Sequence, residues 1–487
     1  IYKINKTKLM LPIDYKKTNF VKVEKLLYKL ENKPYSFRKI SKIVDQIDKI
    51  SLLREYDFIF ASISEEKIED NKINLNIEVT ETEKLYVEQV NILGNDITQE
   101  NVIRDALEVD EGDPFNELLH AKSINNLKAK NIFKKVESDV LDGSDLNTKI
   151  INIYLVEKPT GEIMLGAGVG SDGGTIGFSI SENNFMGQGI KLSTSLRITE
   201  DTIRGNFTTT TPNYKYSGKS LSTSIQSDVV DRMADSGYEA TKTGFSFGTS
   251  VEQYEDLFFI PQFSTYYEHL VTDASASDNL KKQAGDYFET TFSYNIDYDK
   301  RNQTWQTSEG FRSKFTQSIP IVSDNWAILN GYDYTKWINF DNDLIAKFDF
   351  YGRAKNSLTG DYVRVSERLH LPSRRLKGFI ARAIGPVDGN DFVGGNFTAA
   401  LNFSSTLPMI LQSVETADFK FFIDAANVWG VDYRDNYDDS NKIRSSTGIA
   451  VDWFTPIGPL NFTIAQPITK VSTDKTETFQ FNLGTTF

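Results

Sequence analysis

The chain has 487 residues, room for about two to four ordinary domains, and a formal net charge of −13 that argues against nucleic acid as a partner, because phosphates demand a basic surface. It contains no cysteine and only three scattered histidines, His120, His269 and His370, which excludes disulfides and thiolate chemistry and makes a multi-histidine metal site or a nucleophile–base pair hard to assemble. We therefore expect no enzyme, no catalytic or metal-binding residues and no cofactor.

No stretch approaches the ~18–20 consecutive apolar residues that a spanning helix needs. The mean hydropathy of −0.38 decides nothing, because the strands of a transmembrane barrel turn only every second residue to lipid. Neither a start methionine nor an export signal precedes Ile1, so the chain reads as a mature or truncated product.

Residues 1–159 are rich in Lys, Glu, Ile and Leu and show helical periodicity between short strands. An internal repeat of roughly 80 residues divides this part into units 1–83 and 84–159. In the first, helices are predicted over 20–30 and 37–54, the latter with Ile40, Ile43, Val44, Ile47 and Ile50 at three-and-four spacing. Strands follow over 60–64 and 73–79, where Ile-Asn-Leu-Asn-Ile-Glu-Val alternates with period two. In the second unit a strand at 86–93 precedes a helix over 98–107, with Thr98 as its N-cap, and a helix over 121–129. Strands over 136–141 and 150–156 close the unit, and Pro114-Phe115 stands where Pro34-Tyr35 stood before. Strand-helix-helix-strand-strand, twice, makes each unit a small α+β domain.

Lys158-Pro159-Thr160-Gly161 ends that texture. From 160 to 487 the chain alternates in segments of about ten residues, the signature of a transmembrane β-barrel of about 16 antiparallel strands. Phe288, Thr290, Phe292, Tyr294, Ile296 and Tyr298 alternate with Glu289, Thr291, Ser293, Asn295, Asp297 and Asp299, an aromatic face backed by an acidic one. One stretch, 356–395, is too long and turn-rich for a hairpin connection. In the first barrel segment, 162–170, Gly166, Gly168 and Gly170 lie opposite Ile163, Leu165, Ala167 and Val169. Asp424 shares a strand with Phe421 and Ile423 but faces the other way, toward the lumen.

Several of these stretches resemble the BamA family of outer-membrane assembly factors. Glu157-Lys158-Pro159-Thr160-Gly161 running into Leu165-Gly166-Ala167-Gly168-Val169-Gly170 is similar to its passage into the first barrel strand, and Ser181-Glu182-Asn183-Asn184-Phe185-Met186-Gly187-Gln188-Gly189 to its next hairpin. Leu376-Lys377-Gly378-Phe379, Ile384-Gly385-Pro386 and Val393-Gly394-Gly395-Asn396 resemble its inward-folded loop. Asp452-Trp453-Phe454-Thr455-Pro456-Ile457-Gly458-Pro459-Leu460, Ala465-Gln466-Pro467 and Phe479-Gln480-Phe481-Asn482-Leu483-Gly484 resemble its last strands. The resemblance implies that units 1–83 and 84–159 are the last two of the family's POTRA domains, located in the periplasm. It departs from the family at Lys377, where arginine is usual, and in carrying two POTRA units where five are common.

The same resemblance implies a function. Such a barrel would insert other β-barrel proteins into the outer membrane by templating strands at a lateral seam between its first and last strands. The seam residues would be Leu165, Gly166, Gly168, Gly170, Phe481, Gly484 and Phe487. The loop motif Leu376, Lys377, Gly378 and Phe379 would brace the wall, with Asp424 as the candidate partner of Lys377. Expected partners are unfolded outer-membrane barrel substrates, accessory lipoproteins of an assembly complex and outer-membrane lipid. The alternatives are a two-partner secretion transporter exporting one dedicated protein, or a TamA-like assembly factor.

Overall fold

The structure, a computed structural model, describes the chain except residues 1–2, 14, 32, 34–39, 41–42, 44–45, 48–49, 51–58, 69–71, 82–84, 172, 218, 255, 304–306, 342–343, 408–416, 434–436, 439–440, 456–457 and 485–487. Its two compact units divide between Thr160 and Gly161.

The first unit contains two three-stranded sheets of the same topology. In the first sheet β1 (Lys3–Met10), β2 (Ile59–Ile68) and β3 (Lys72–Glu81) lie in the order β1-β3-β2, with β1 parallel and β2 antiparallel to the central strand. Ile73, Leu75, Ile77 and Val79 of β3 are all buried on one face, as period two dictates. Phe20, Val23 and Leu27 from the helical stretch 17–28 and Ile40, Ile43 and Ile47 complete that core. Strand β1 stands where the strand-helix-helix-strand-strand order puts a first strand, though the sequence pattern marks no range for it. It reads Lys-Ile-Asn-Lys-Thr-Lys-Leu-Met, and as an edge strand it buries only Ile4, so its sequence carries no alternation of the expected kind.

In the second sheet β4 (Tyr86–Leu93), β5 (Phe133–Asp142) and β6 (Thr148–Glu157) repeat the arrangement as β4-β6-β5. Ile151, Ile153 and Leu155 of β6 pack with Ile103 and Leu127 of the two helices, Glu100–Arg104 and Glu117–Ala129. Both helices depart from expectation at their starts. Asn116 caps the second, its Oδ1 accepting from the Leu119 amide at 3.1 Å, so this helix begins before its apolar periodicity becomes visible. Thr98 does not cap the first: it is buried, and its amide instead donates to Glu157 Oε1 at 2.6 Å, while the Ile97 amide donates to Glu157 Oε2. A carboxylate at the end of β6 thus holds the two amides that precede the helix, whose N-cap position is taken by Gln99.

The second unit is a closed barrel of sixteen strands. On its first side run β7 (Gly161–Gly170), β8 (Gly173–Phe185), β9 (Ile190–Thr199), β10 (Thr202–Thr211), β11 (Ser220–Arg232) and β12 (Tyr238–Tyr254). Next come β13 (Leu257–Thr272), β14 (Gly285–Asp299), β15 (Gly310–Ser323), β16 (Ala327–Asp341) and β17 (Leu344–Ser357). Two short strands, β18 (Val387–Asp388) and β19 (Asp391–Phe392), lie within the connection to β20 (Phe397–Thr406). The wall continues with β21 (Ala417–Trp429), and a third short strand, β22 (Tyr437–Asp438), pairs with β18 apart from the wall. Strands β23 (Arg444–Thr455), β24 (Gly458–Thr469) and β25 (Phe479–Gly484) complete it. All neighbouring wall strands are antiparallel, and β25 returns to β7.

The alternation read from sequence is the barrel's two faces. Phe288 and Ile296 point outward, 44% and 40% exposed, while Glu289, Thr291 and Asp297 on the alternate positions are buried on the lumen side. Phe247, Phe263 and Phe292 of three successive strands stack on the outer face, with ring centroids 5.3 and 4.9 Å apart.

Burial alone would raise the Glu157 carboxyl, but hydrogen bonds from Thr98 and from the Ile97 amide outweigh it and hold the group below its usual range. A carboxyl depressed on folding contributes stability that is present above its unfolded pKa, about 4.3, and lost as pH falls through the folded value. Hydrogen exchange in the full chain, corrected for intrinsic rates, should therefore show Ile97 and Thr98 losing protection below about pH 4. Unchanged protection of both amides down to about pH 3 contradicts this assignment.

Candidate functional site: the seam and the lumenal loop

The first barrel strand is cheap to separate on one side only. Along its β8 side, β7 is paired over its whole length, from Gly161 opposite Glu182 to Gly170 opposite Gly173. Along its other side, β25 meets it at three positions among the described residues: Asn482 opposite Gly170, Leu483 opposite Val169 and Gly484 opposite Gly168. One further pair of bonds joins them just past β7, where the Ser171 amide donates to Phe481 O at 3.0 Å and the Phe481 amide to Ser171 Oγ at 3.1 Å. Leu165 and Gly166 have register partners on β8, Phe178 and Gly177, and none on β25 among the described residues. Of the expected seam residues, the structure therefore brings together Gly168, Gly170, Phe481 and Gly484. Leu165 and Gly166 sit on the half of β7 nearer its start, and Phe487 lies outside the described residues.

Glycine at 170 is required by space. A Cβ there would stand 2.1 Å from Asn482 Oδ1 and 2.7 Å from Phe481 O, and the second of these is backbone that cannot swing aside. Opposite the glycine face, Ile163 and Leu165 are 71% and 77% exposed, as lipid-facing side chains of a barrel strand should be.

The connection between β17 and β20 folds into the lumen, where it meets inward-facing residues of the wall. Its anchor is Arg364, 1% exposed, with Nη2 3.1 Å from Glu367, 3.3 Å from Glu268 of β13 and 3.6 Å from Glu289 of β14. Lys355 and Lys242 each also reach Glu367, at 2.6 and 3.2 Å, so three cations meet three carboxylates out of water. Burial would raise the Glu367 carboxyl, but Lys355, Lys242 and Arg364 hold it well below the usual range. Removing one member of such a cluster leaves a buried charge uncompensated, at a cost of about 3–5 kcal/mol.

The motif Leu376-Lys377-Gly378-Phe379 lies further along the same connection. Lys377 Nζ is 2.9 Å from Asp424 Oδ2, and the Lys377 amide donates to that same oxygen at 3.1 Å. The ammonium also sits 4.2 Å from the Phe422 ring centroid. Asp424 is fully buried, and its Oδ1 accepts from Asn402 Nδ2 at 2.7 Å. Gly378 has φ +87°, a conformation L side chains rarely adopt, and a Cβ there would lie 3.0 Å from Ala465 on the wall. Leu376 and Phe379 are buried in the loop's own cluster with Ile384 and Val428.

The loop also holds the last strand. The Glu477 amide donates to Gly378 O at 3.0 Å, the Ile380 amide to Lys475 O at 3.0 Å, and Gln480 Nε2 of β25 to Phe379 O at 3.2 Å. Sequence reasoning did not find Arg364, Asn402 or Gln480. Each has a partner distant in the chain, Glu268 for Arg364, Asp424 and Arg375 O for Asn402 and Phe379 O for Gln480, and only the closed barrel with its folded-in loop brings them together.

Asp424→Ala should release the motif: the charge-assisted bonds it accepts are worth about 1.5–3 kcal/mol each, or roughly 10- to 100-fold in the loop's opening equilibrium. Protease cleavage within 376–383 in the lipid-embedded chain should rise by that order. Cleavage at the wild-type rate would show that Asp424 does not hold the loop.

Residues 184–487 match the Omp85 superfamily domain, and residues 85–158 match the POTRA domain, described as a surface antigen variable number repeat. The outer membrane protein assembly factor BamA of Neorickettsia risticii is 25% identical over 451 residues, covering 90% of this chain and 60% of its own length. This chain therefore spans less than two thirds of that relative. The crystal structure of BamA from Haemophilus ducreyi lacking POTRA domains 1–3 superposes with a TM-score of 0.74 at 22% identity, covering both chains fully. CdiB from Acinetobacter baumannii superposes with a TM-score of 0.55 at 11% identity, covering 99% of this chain and 90% of its own. The two structural likenesses show the fold. The superfamily domain, matched over more than half of the chain, shows the family: this protein is an outer-membrane β-barrel of the Omp85 superfamily.

Proposed function

We propose that this protein assembles and inserts β-barrel proteins into the outer membrane by lending the backbone of its seam to an incoming strand. The observation that carries the reading is the join between β25 and β7, three positions long among the described residues, set beside the full ladder between β7 and β8. A nascent strand cannot enter hydrocarbon with its peptide groups unpaired, since each orphan group costs several kcal/mol. The stretch of β7 from Gly161 to Ala167 offers it amides and carbonyls that β25 does not take up among the described residues. Pairing of backbone with backbone asks little of the incoming sequence, so one seam serves many substrates.

The loop motif acts as the brace. By holding Asp424 on β21 and the start of β25 at once, it fixes the wall on one side of the seam while the other side exchanges partners. Unfolded outer-membrane barrel proteins are the substrates, and the POTRA domains work in the periplasm, where accessory lipoproteins of an assembly complex dock. Outer-membrane lipid surrounds the wall. A two-partner secretion transporter would share the fold, but it needs a conducting lumen, and here buried ion pairs hold the loop inside it. A TamA-like factor would use the same seam and differ in its POTRA domains.

Because the chain lacks cysteine, Val169→Cys with Leu483→Cys gives the only thiol pair, at positions opposite one another across the seam. Reconstituted in liposomes, the reduced double variant should accelerate the appearance of heat-modifiable, protease-resistant barrel substrate, and the oxidised form should lose most of that acceleration. Equal rates in the two redox states would rule out opening at this seam.

A further inference from the structure

Asp349 of β17, Asn402 of β20 and Asp424 of β21 stand opposite one another in register, forming one lumen-facing row across three adjacent strands. Neighbouring strands are about 4.8 Å apart, so the two carboxylates at the ends of this row are separated by roughly two strand spacings. Lys377 takes the Asp424 end. The Asp349 end is taken by Arg375, whose Nη1 lies 2.6 Å from Asp349 Oδ1 and whose Nη2 lies 3.7 Å from Asp333 Oδ1 on β16. Its guanidinium also sits 5.0 Å from the centroid of the Tyr351 ring. Asn402 closes the middle: one Nδ2 donates both to Arg375 O and to Asp424 Oδ1, each at 2.7 Å.

We infer that Arg375 is a second positioning residue of the loop, and that the brace is divided between two cations reading one acid–amide–acid row. Arg375 ends a 3-10 turn, Ser373–Arg375, and Lys377 stands in the turn that follows, while the buried Leu376 between them packs on the wall beside the row, with Ala400 and Ala426. The division answers the departure noted at Lys377. An ammonium is a point charge that cannot form a two-pronged contact with a carboxylate, whereas a guanidinium is a planar fork. Here the fork sits two residues earlier and grips the wall two strands away from Asp424. Together the two side chains tie the loop to β16, β17 and β21, and the Arg375 carbonyl ties it to β20, a quarter of the wall, where the Lys377 side chain alone would tie it to one strand.

This inference deepens the reading of the loop as a brace, and its test does not depend on insertion activity. Hydrogen exchange over 376–383 is measured in the full lipid-embedded chain for wild type, Arg375→Ala, Lys377→Ala, both together, and Arg375→Ala with Lys377→Arg. Amides of the β12–β13 ladder report that the barrel is intact, and Asp349 keeps Lys347, 3.1 Å away, as a partner when Arg375 is removed. Each single alanine should speed exchange about tenfold, and the double variant by more than the product of the two, because either clamp alone keeps the segment down. Arginine at 377 should recover most of the loss in the Arg375→Ala background, a rescue that a merely space-filling Arg375 would not allow. Exchange within about twofold of wild type for Arg375→Ala, or a double variant no faster than Lys377→Ala, overturns the inference. Loss of the clamp with unaltered insertion would leave Arg375 as a positioning residue and count instead against the proposed function.

Discussion

A strand in hydrocarbon must satisfy its peptide groups on both sides, because no water is present to do so. Closure of the sheet meets that demand around nearly the whole circumference of this barrel, and strands such as β12 and β13 are zipped along almost their full length. At one join the demand is met over three positions among the described residues. Everything proposed for the protein follows from that inequality. A wall that is uniformly paired is a container, whereas a wall with one short ladder has a place where another strand can be accepted at small cost. The glycines of β7 keep that place narrow and free of side chains on the lumen face, and Gly170 is the position where a methyl group would collide with the facing backbone.

A weak join is useful only if the rest of the wall does not follow it open. The lumenal loop supplies the needed stiffness by ion pairs that are sheltered from solvent and so lose little to screening. Its two ends of attachment differ in character. Near Arg364 the charges are fully buried and balanced, which anchors the loop to β13 and β14 on the far side of the barrel from the seam. Around Lys377 the contacts are lighter and reach both β21 and β25. The loop therefore runs from a firm anchor to the strand that forms one lip of the seam. Movement of β25 away from β7 is resisted through hydrogen bonds from Gln480 and Glu477 to loop carbonyls, a route that no ladder between wall strands provides.

Much of this architecture was legible because it rests on periodicity. The sixteen-strand wall follows from alternation such as that of 288–298, and β3 and β6 follow from Ile, Leu and Val at every second position. Edge and cap details were less legible. Strand β1 buries one apolar residue and so carries no pattern, and the amides just ahead of the helix at Glu100 are held by Glu157, far along the chain. For the site, Lys377 and Asp424 could be placed together through family resemblance and the strand face of Asp424. Arg375, Asn402 and Gln480 could not, because their significance lies in register across strands separated by long connections. A sequence states which face a residue takes; it does not state which residue stands opposite.

The inequality of the two sides of β7 can be measured directly by residue-resolved hydrogen exchange of the chain in lipid bilayers. In an antiparallel strand successive amides point to alternate neighbours. Within Gly161 to Ala167, amides directed to β8 should be protected as strongly as those of the β12–β13 ladder, and the alternate amides directed to the seam should exchange orders of magnitude faster. Uniform and strong protection of both sets would mean that the seam is closed along its length and that the barrel has no edge to lend.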